Sequence, residues 1–368
     1  MSTSNKKPIL GSYPAEDCLF LLKPIKTEYH TVEDKETLIQ RGKLHYSEII
    51  HKENIPSSEY TSLFFELTQQ YKQRLADEVT LLASIIDQRV SDAVCLVSLA
   101  RAGTPIGVLL KRALMHHYKK KSTHYSISIV RDRGIDENAL DFILKQGHKT
   151  NSIVFIDGWT AKGVIASELR KSIKNYNESR GTCVPSELFV ISDIGGCADF
   201  SAGSTDYTIP SALMNSTISG LVSRSILNEQ IRDDDFHGCV RYDHLRKADL
   251  SLWFVDEISD CFRPIKYNAQ SFVSNRERRR MTQSFLNALK SRYQVSDENR
   301  IKPGIAEATR VLLRRIPDLL LVKNRLSGDI KHLIRLCDEK KIPYLEMPEM
   351  PFGACALIKD VVVEAAGK

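Results

Sequence analysis

Ile153-Val-Phe-Ile156 is an apolar run that ends on Asp157, and the residues after it leave few choices of fold. Gly158, Trp159, Thr160, Ala161, Lys162 and Gly163 come next, then Val164, Ile165, Leu169, Ile173 and Tyr176 on one helical face. A run of strand length, a loop and an amphipathic helix make the βα unit of a parallel sheet. The spacing predicts the strand over 153–156 and the loop over Asp157–Gly163. Free N–H groups and the helix dipole favour an anion at such a helix start. Thr160 adds a hydroxyl donor and Lys162 a positive charge. Asp157 can accept from sugar hydroxyls or from a magnesium hydration shell. The spacing is neither that of a Walker loop nor that of a dinucleotide fingerprint. A tight turn capped by Asp157 accounts for the same residues, so this loop alone does not decide between packing and phosphate binding.

The unit recurs along the chain. Ala93–Leu99 is a nearly continuous apolar run, followed by Ala100-Arg101-Ala102-Gly103-Thr104. Thr104 suits a helix cap and Pro105 its first turn. Tyr125–Val130 reads as the next strand, Arg131–Asp136 as its loop, and Glu187–Ser192 as a further strand. Strands alternating with helices imply a parallel sheet, right-handed crossovers and ligands at the strands' carboxyl ends. The loops 101–104, 131–136 and 157–163 would converge there. Their arginines and lysine point to a polyanion.

A length of 368 residues predicts two or three domains, and a net charge of +6 is compatible with an anionic ligand or RNA. Eight scattered cysteines form no C-x-x-C pair, which argues against a zinc ribbon. No secretory signal pattern and no apolar run of ~20 residues is visible, so a reduced, cytoplasmic protein without a membrane span is expected. Residues 1–90 read as a helical layer: a helix over 35–54, then a long stripe capped by Ser57, with a coiled coil as the alternative. In 199–260, Ser211, Asn215, Ser216, Thr217, Ser219 and Ser223 line a pocket or cap loops. Asp233–Asp235 is a magnesium candidate or a solvated turn, and His237 with Cys239 is the candidate pair for a thiol protease. Asn275–Arg280 is a solvated helix face or an RNA-facing patch. From 296 a second unit begins. A helix opens at Gly304 with Ile305, Ala308, Val311 and Leu312 inward, Leu319–Val322 is a strand, and Ile330, Leu333, Ile334 and Cys337 share a helical face. Ile342–Leu345 is another strand and Phe352-Gly353-Ala354 opens a last helix, giving a small α/β sandwich.

On these residues the α/β core, 91–290, resembles the type I phosphoribosyltransferases. The resemblance implies phosphoribosyl pyrophosphate with Mg²⁺, the metal carried without a direct protein ligand. Asp157 would be catalytic, holding the ribose hydroxyls, with Arg131 and Arg133 on a flexible loop closing over the leaving group. Arg101, Ala102, Gly103 and Thr104 would take pyrophosphate. Gly158, Trp159, Thr160, Ala161, Lys162 and Gly163 would take the 5-phosphate. The family's second acidic residue is here Gly158, and a further aspartate position is Ala161. Gly11-Ser-Tyr-Pro14, Phe20-Leu-Leu-Lys-Pro24, the run from Ile39 to Ser47, the run from Ile209 to Arg224 and Phe236-His-Gly238 extend the resemblance. They are similar to a bacterial family that accompanies tellurite-resistance stress operons, under an older label of cysteine protease StiP precursor. Residues 296–368 resemble the Pelota and kink-turn RNA-binding family. Gly304, Glu307, Thr309 and Arg310 match its RNA-facing helix start, and Ala306 replaces an asparagine. The expected function is therefore phosphoribosyl transfer to a base, a nucleoside-like metabolite or RNA in a stress response. Phosphoribosyl pyrophosphate and structured RNA are the expected partners, no membrane is, and the assembly is open to a homodimer. A non-catalytic RNA-binding or ribosome-associated protein and a cysteine protease are the competing classes.

Overall fold

The computed structural model describes residues 7–265 and 275–361. The chain opens with strands β1 (Leu19–Leu21) and β2 (Lys23–Pro24) and helix α1 (Val32–Gln40). Helix α2 (Ser58–Arg89) comes next, its first turn capped by Ser57, which accepts from the Tyr60 N–H at 3.2 Å. Then come β3 (Val94–Leu99), α3 (Gly103–Tyr118), β4 (Ser122–Ile127), a hairpin of β5 (Ile129–Val130) and β6 (Gly134–Ile135), and α4 (Glu137–Lys145). Next are β7 (Ile153–Thr160), α5 (Val164–Arg180), β8 (Leu188–Asp193) and β9 (Phe200–Gly203). An irregular stretch holds β10 (Gly238–Cys239) and leads to α6 (Ser251–Ser259). The remainder is α7 (Asn275–Arg292), β11 (Ile301–Pro303), α8 (Ile305–Arg314), β12 (Pro317–Val322), α9 (Lys331–Lys340), β13 (Tyr344–Glu346) and β14 (Ala354–Ile358).

The larger sheet has the order β1-β4-β3-β7-β8-β9, and every pairing in it is parallel. Its side chains alternate at the strand period. Val94, Leu96, Val154 and Ile156 face α2, α3 and α6, while Cys95, Val97, Ile153 and Phe155 face α4 and α5. Both faces are covered, which is why β3 reads as an unbroken apolar run. From β3 the chain passes to β4 on one side, then returns to β7 on the other and continues to β8 and β9. The order reverses between β3 and β7. The crevice beyond their carboxyl ends is where open α/β sheets receive ligands.

The smaller sheet, β11-β14-β12-β13, is mixed, with α8 and α9 packed on one face. It is joined to the larger one through a buried carboxylate. Asp206, just after β9, accepts the N–H of Ile305 at 2.9 Å and that of Gly353 at 2.7 Å. It thereby satisfies one of the open donors at the start of α8.

Several expectations are corrected. The N-terminal segment is not a purely helical layer, because Leu19–Leu21 is an edge strand of the main sheet. The helix expected over 35–54 stops at Gln40. Gly42 takes a left-handed φ of 65°, and the N–H groups of Lys43 and Leu44 return to the Leu38 carbonyl; this is a glycine helix stop. Strand β7 runs past 156 to Thr160 because Trp159 and Thr160 keep register with Ser192 and Asp193 of β8. The loop is therefore only Ala161–Gly163. The segment expected to be a flexible cover is a paired hairpin, Ile129 opposite Ile135 and Val130 opposite Gly134. Phe352-Gly353-Ala354 opens strand β14, not a helix. Ala354–Ile358 pairs on both sides, with β11 and β12, and that central position overrides its alanine-rich helix propensity. Helix α2 packs along α3 and α6 in the core rather than standing free as a coiled coil.

Gly103 opens α3 where backbone meets backbone. A Cβ there would lie 2.4 Å from the Ile156 carbonyl oxygen, with no flexible side chain to yield. Gly103→Ala is expected to destabilise the fold by roughly 1–3 kcal/mol. The measurement is a urea midpoint that falls with an unchanged slope; an unchanged midpoint would refute the close contact.

Candidate functional site

A cavity of about 480 Å³ opens beyond β3 and β7. Its floor is the end of β7, the turn Ala161–Gly163 and the start of α5. The N-terminal segment supplies Tyr46 and Glu53, the irregular stretch supplies Arg224 and Tyr242, and the smaller sheet supplies Lys302 and the polar face of α8. Ten lysines and arginines line it, against four aspartates and glutamates. An enclosed surface with that balance attracts anions.

Asp157 sits at the centre of the floor. Its carboxylate accepts the Gly158 N–H at 2.8 Å. Burial raises its pKa to about 7, against the opposing pull of that hydrogen bond and of Arg310, while Glu307 adds to the rise. Trp159 donates from Nε1 to Glu307 at 3.1 Å, and Arg310 donates to the same carboxylate oxygen at 3.1 Å. The Arg310 guanidinium lies 4.5 Å from the centre of the Trp159 ring, a cation–π distance. Burial alone would raise the pKa of Glu307, but Arg310, Lys302 and the Trp159 hydrogen bond outweigh it and keep it below the usual range. Lys162 donates to the Glu298 carbonyl at 2.7 Å, and burial lowers its pKa. Burial, with repulsion from Lys162, brings Lys302 down to about 8.

The loop after β3 divides into two parts. Ala102 faces the cavity, and the Arg101 guanidinium, also at its edge, is held by the Glu53 carboxylate and by the Val222 carbonyl at 2.8 Å. Glu53 also accepts from the Ser216 hydroxyl at 2.6 Å. Burial opposes the ionisation of Glu53, yet Arg101 and Arg314 bring its pKa down to about 2.

The sequence-predicted residues therefore separate. Asp157, Trp159, Thr160, Ala161, Lys162, Gly163, Arg101, Ala102, Arg131, Glu307 and Arg310 come together at the cavity. Arg131 stacks 5.0 Å over Tyr46 and donates to Asn299 at 2.7 Å. Arg133 does not join them: it bonds Glu48 at 2.5 Å and the Leu227 carbonyl at 2.9 Å. Gly103 and Thr104 are corrected to packing roles, Thr104 sharing a hydrogen bond of 2.8 Å with Ser126 inside the core. Gly158 packs on Ala102. The RNA-facing quartet is also corrected. Thr309 is buried, bonded to the Ile305 carbonyl and to His332, both at 2.8 Å. Gly304 is buried, its N–H donated to the Ala354 carbonyl at 2.8 Å. Glu307 and Arg310 point at Trp159 instead of forming an open surface.

Other candidates fall away from the cavity. Ser216 supports Glu53, and the Ser223 hydroxyl accepts from Val240 at 2.9 Å. Asp235 pairs with Lys23 at 2.6 Å. No cluster of three or more metal-ligating side chains occurs among the described residues. His237 is bonded to Ser128 at 2.7 Å, and Cys239 is buried. Among the described residues no helix is long and apolar enough to cross a membrane. Sequence reasoning missed Glu53, Arg224, Lys302, Arg314 and Arg315 at the cavity. Only Arg224 had a signal, as the end of the run from Ile209.

The pH dependence of stability is set in part by Asp157. Its folded pKa of about 7 stands above the ordinary 3.8, so the folded chain keeps a proton that the unfolded chain releases. The stability it contributes is lost as pH rises between these values. Asp157→Asn keeps the acceptor for Gly158 and removes that slope. Relative to the parent it should gain on the order of 2 kcal/mol between pH 5 and pH 8, less than full linkage because the carboxylate faces the cavity. Parallel urea titrations at the two pH values measure this, and equal slopes in both proteins would contradict the burial of that charge.

The family model described as "Tellurite-like stress resistance cysteine protease StiP" matches residues 11–259, and the PELOTA RNA binding domain model matches 280–360. A curated protein of Acinetobacter baylyi, "Cysteine protease StiP", is 40% identical over 371 residues, covering 96% of this chain and 95% of that protein. Among solved structures, Helicobacter pylori xanthine-guanine-hypoxanthine phosphoribosyltransferase is 13% identical at a TM-score of 0.23, covering 39% of this chain and 82% of its own. A Trypanosoma cruzi hypoxanthine phosphoribosyltransferase with the product IMP is 9% identical at 0.27, covering 48% and 90%. Scores this low carry no functional argument. The two family matches and the near full-length relative do: the chain belongs to the StiP family of tellurite-like stress resistance proteins and carries a PELOTA-type domain at its C-terminal end.

Proposed function

We propose that this chain is a type I phosphoribosyltransferase, transferring the phosphoribosyl group of phosphoribosyl pyrophosphate to a base or nucleoside-like acceptor. The observation that carries the reading is the position of Asp157 and the α5 turn. They lie where the strand order reverses, and nine basic side chains besides Lys162 line the cavity they face. The 5-phosphate would sit on the Ala161–Gly163 turn, where the first N–H groups of α5 are open and Lys162 adds charge. The ribose hydroxyls would donate to the ionised Asp157, whose negative charge favours the positive charge that develops on the sugar. The C1–oxygen bond breaks with its electron pair leaving on pyrophosphate, the acceptor nitrogen forms the new bond, and the acceptor's proton is released.

The residues fit a metal that arrives with the substrate. Magnesium keeps several waters when substrate phosphates carry it, and Asp157, the carboxylate at the floor, could accept from that hydration shell. When bound, the ion would neutralise phosphate charge. Arg131, held by Asn299 and stacked on Tyr46, is the basic side chain of the hairpin that would stand beside the leaving group.

The relative's name favours a second reading, a thiol protease. The thiols offer it little support. Burial pushes Cys239 up to about 12 and Cys197 up to about 11, no cysteine lines the cavity, and no hydrogen bond joins a cysteine to a histidine among the described residues. The PELOTA match favours RNA as an acceptor; with α8 turned inward, a nucleotide would have to enter the cavity itself.

Calorimetry with phosphoribosyl pyrophosphate and Mg²⁺ should show binding. Lys162→Ala should weaken it about tenfold. Asp157→Asn should lower turnover more than affinity. Full activity in the Asp157 variant would sink the assignment. In a separate test, Cys239→Ala and the exposed Cys183→Ala should transfer phosphoribose at the parent rate. Loss of function in either, with the melting temperature unchanged, would return the protease reading to first place.

A further inference from the structure

The carboxylates at the cavity are fewer than its cations, and the nearest ones are already committed. Glu53 is shared by Arg101 and Ser216, Glu307 by Trp159 and Arg310, and Glu36 is taken by Arg315. Arg314, one turn beyond Arg310 on α8, has no hydrogen bond or ion pair to its guanidinium among the described residues, and its Nε is buried. The Nη1 of Arg224 and the Nε atoms of Arg101 and Arg310 are also buried without partners. These four arginines line the cavity from the β3 loop, the irregular stretch and α8, with Arg314 close enough to Arg101 and Arg310, and Arg224 close enough to Arg101, to be repelled. Burial holds the pKa of Arg314 well below its ordinary value, and repulsion from Arg101 and Arg310 lowers it further. Burial brings Arg224 down to about 10, with Arg101 and Arg315 adding repulsion.

A half-buried guanidinium with no counter-charge bonded to it is costly where like charges crowd it, and several such groups together cost more. Arg314 helps to keep Glu53 and Glu307 ionised from a distance, yet no carboxylate among the described residues is bonded to it. We infer that Arg314, with Arg224 and Arg310, forms a second anion subsite, so that the ligand of this cavity carries a phosphate group held by the C-terminal unit. Guanidinium forks match phosphate oxygens in pairs. The α5 turn, with Lys162, would hold one anionic group and the arginines another. The PELOTA-type unit is then a wall of the small-molecule site. The proposal rests on the phosphoribosyl reading only for which ligand brings the phosphate. That phosphate belongs either to the pyrophosphate arm of the donor or to a phosphorylated acceptor.

The test uses the full chain, with inorganic pyrophosphate, inorganic phosphate and phosphoribosyl pyrophosphate with Mg²⁺ as calorimetric titrants. Arg314→Met should weaken pyrophosphate binding by roughly tenfold or more. It should also melt, without ligand, at the same temperature as the parent or higher, because a buried repulsion has been removed. A structural arginine would lower the melting temperature. If the donor's affinity falls together with that of pyrophosphate, the subsite holds the donor's pyrophosphate arm. If only the inorganic anions lose affinity, it holds the acceptor's phosphate. Arg224→Met repeats the measurement should Arg314→Met not fold. Unchanged pyrophosphate affinity in whichever variant folds would overturn the inference. A parent protein that binds pyrophosphate through Arg314 but not the donor would instead refute the phosphoribosyl reading alone.

Discussion

The far wall of the cavity is anchored to the larger sheet by one carboxylate, that of Asp206, while Lys35 and Glu36 hold the other end of α8. Burial raises the pKa of Asp206 to about 6, and the N–H groups of Ile305 and Gly353 pull against that rise. A negative charge at the start of α8 is favoured by the helix dipole as well as by the open N–H group it satisfies. The contact fixes α8 against the end of the larger sheet. Once α8 is there, Glu307 reaches Trp159, Arg310 covers the indole, and Arg314 comes within reach of the field of Glu53. A side chain outside the cavity lining thus helps to determine what the site is made of.

The electrostatic arrangement around it is asymmetric. Each of two acidic groups near the cavity serves more than one donor: Glu53 answers Arg101 and Ser216, and Glu307 answers Trp159 and Arg310. The guanidinium groups left over repel one another in a region of low dielectric. A fold selected for stability alone would fill this volume with apolar side chains. Strongly shifted groups gathered in one cleft are the common mark of a working site, and here Asp157, Lys302, Arg224 and Arg314 share that cleft.

Much of the fold was legible because its signals are local. The alternation of β3, α3, β4 and β7, the Ser57 cap and the inward face of α8 all follow from spacing within one element. The unit that carries Asp157 and Lys162 was legible for the same reason, since strand, turn and helix succeed one another in a single stretch. The contacts that stayed hidden depend on partners distant in sequence. Arg101 meets Val222, and Arg315 meets Glu36, across intervals no spacing rule spans. Gly103 and Gly158 looked like phosphate-loop glycines, but the backbone pressing on them belongs to neighbouring segments. The strand at Ala354–Ile358 hid behind a helix-forming composition, because only its two neighbours in the sheet make it a strand. Arg133 is drawn off by Glu48, a partner 85 positions away in the chain.

The walls of the cavity are drawn from both ends of the chain: Lys35, Tyr46 and Glu53 near its beginning, Lys302 and α8 near its end. On the ribosome the αβ core can form long before α8 has emerged. During that interval Asp157 and the α5 turn lie uncovered, and the cationic wall is incomplete. The last three of the ten basic side chains, Arg310, Arg314 and Arg315, therefore join the cavity only at the end of synthesis. A product cut short before α8 would keep seven of the ten basic side chains but lack Arg310, Arg314 and Arg315 and the wall that faces Asp157.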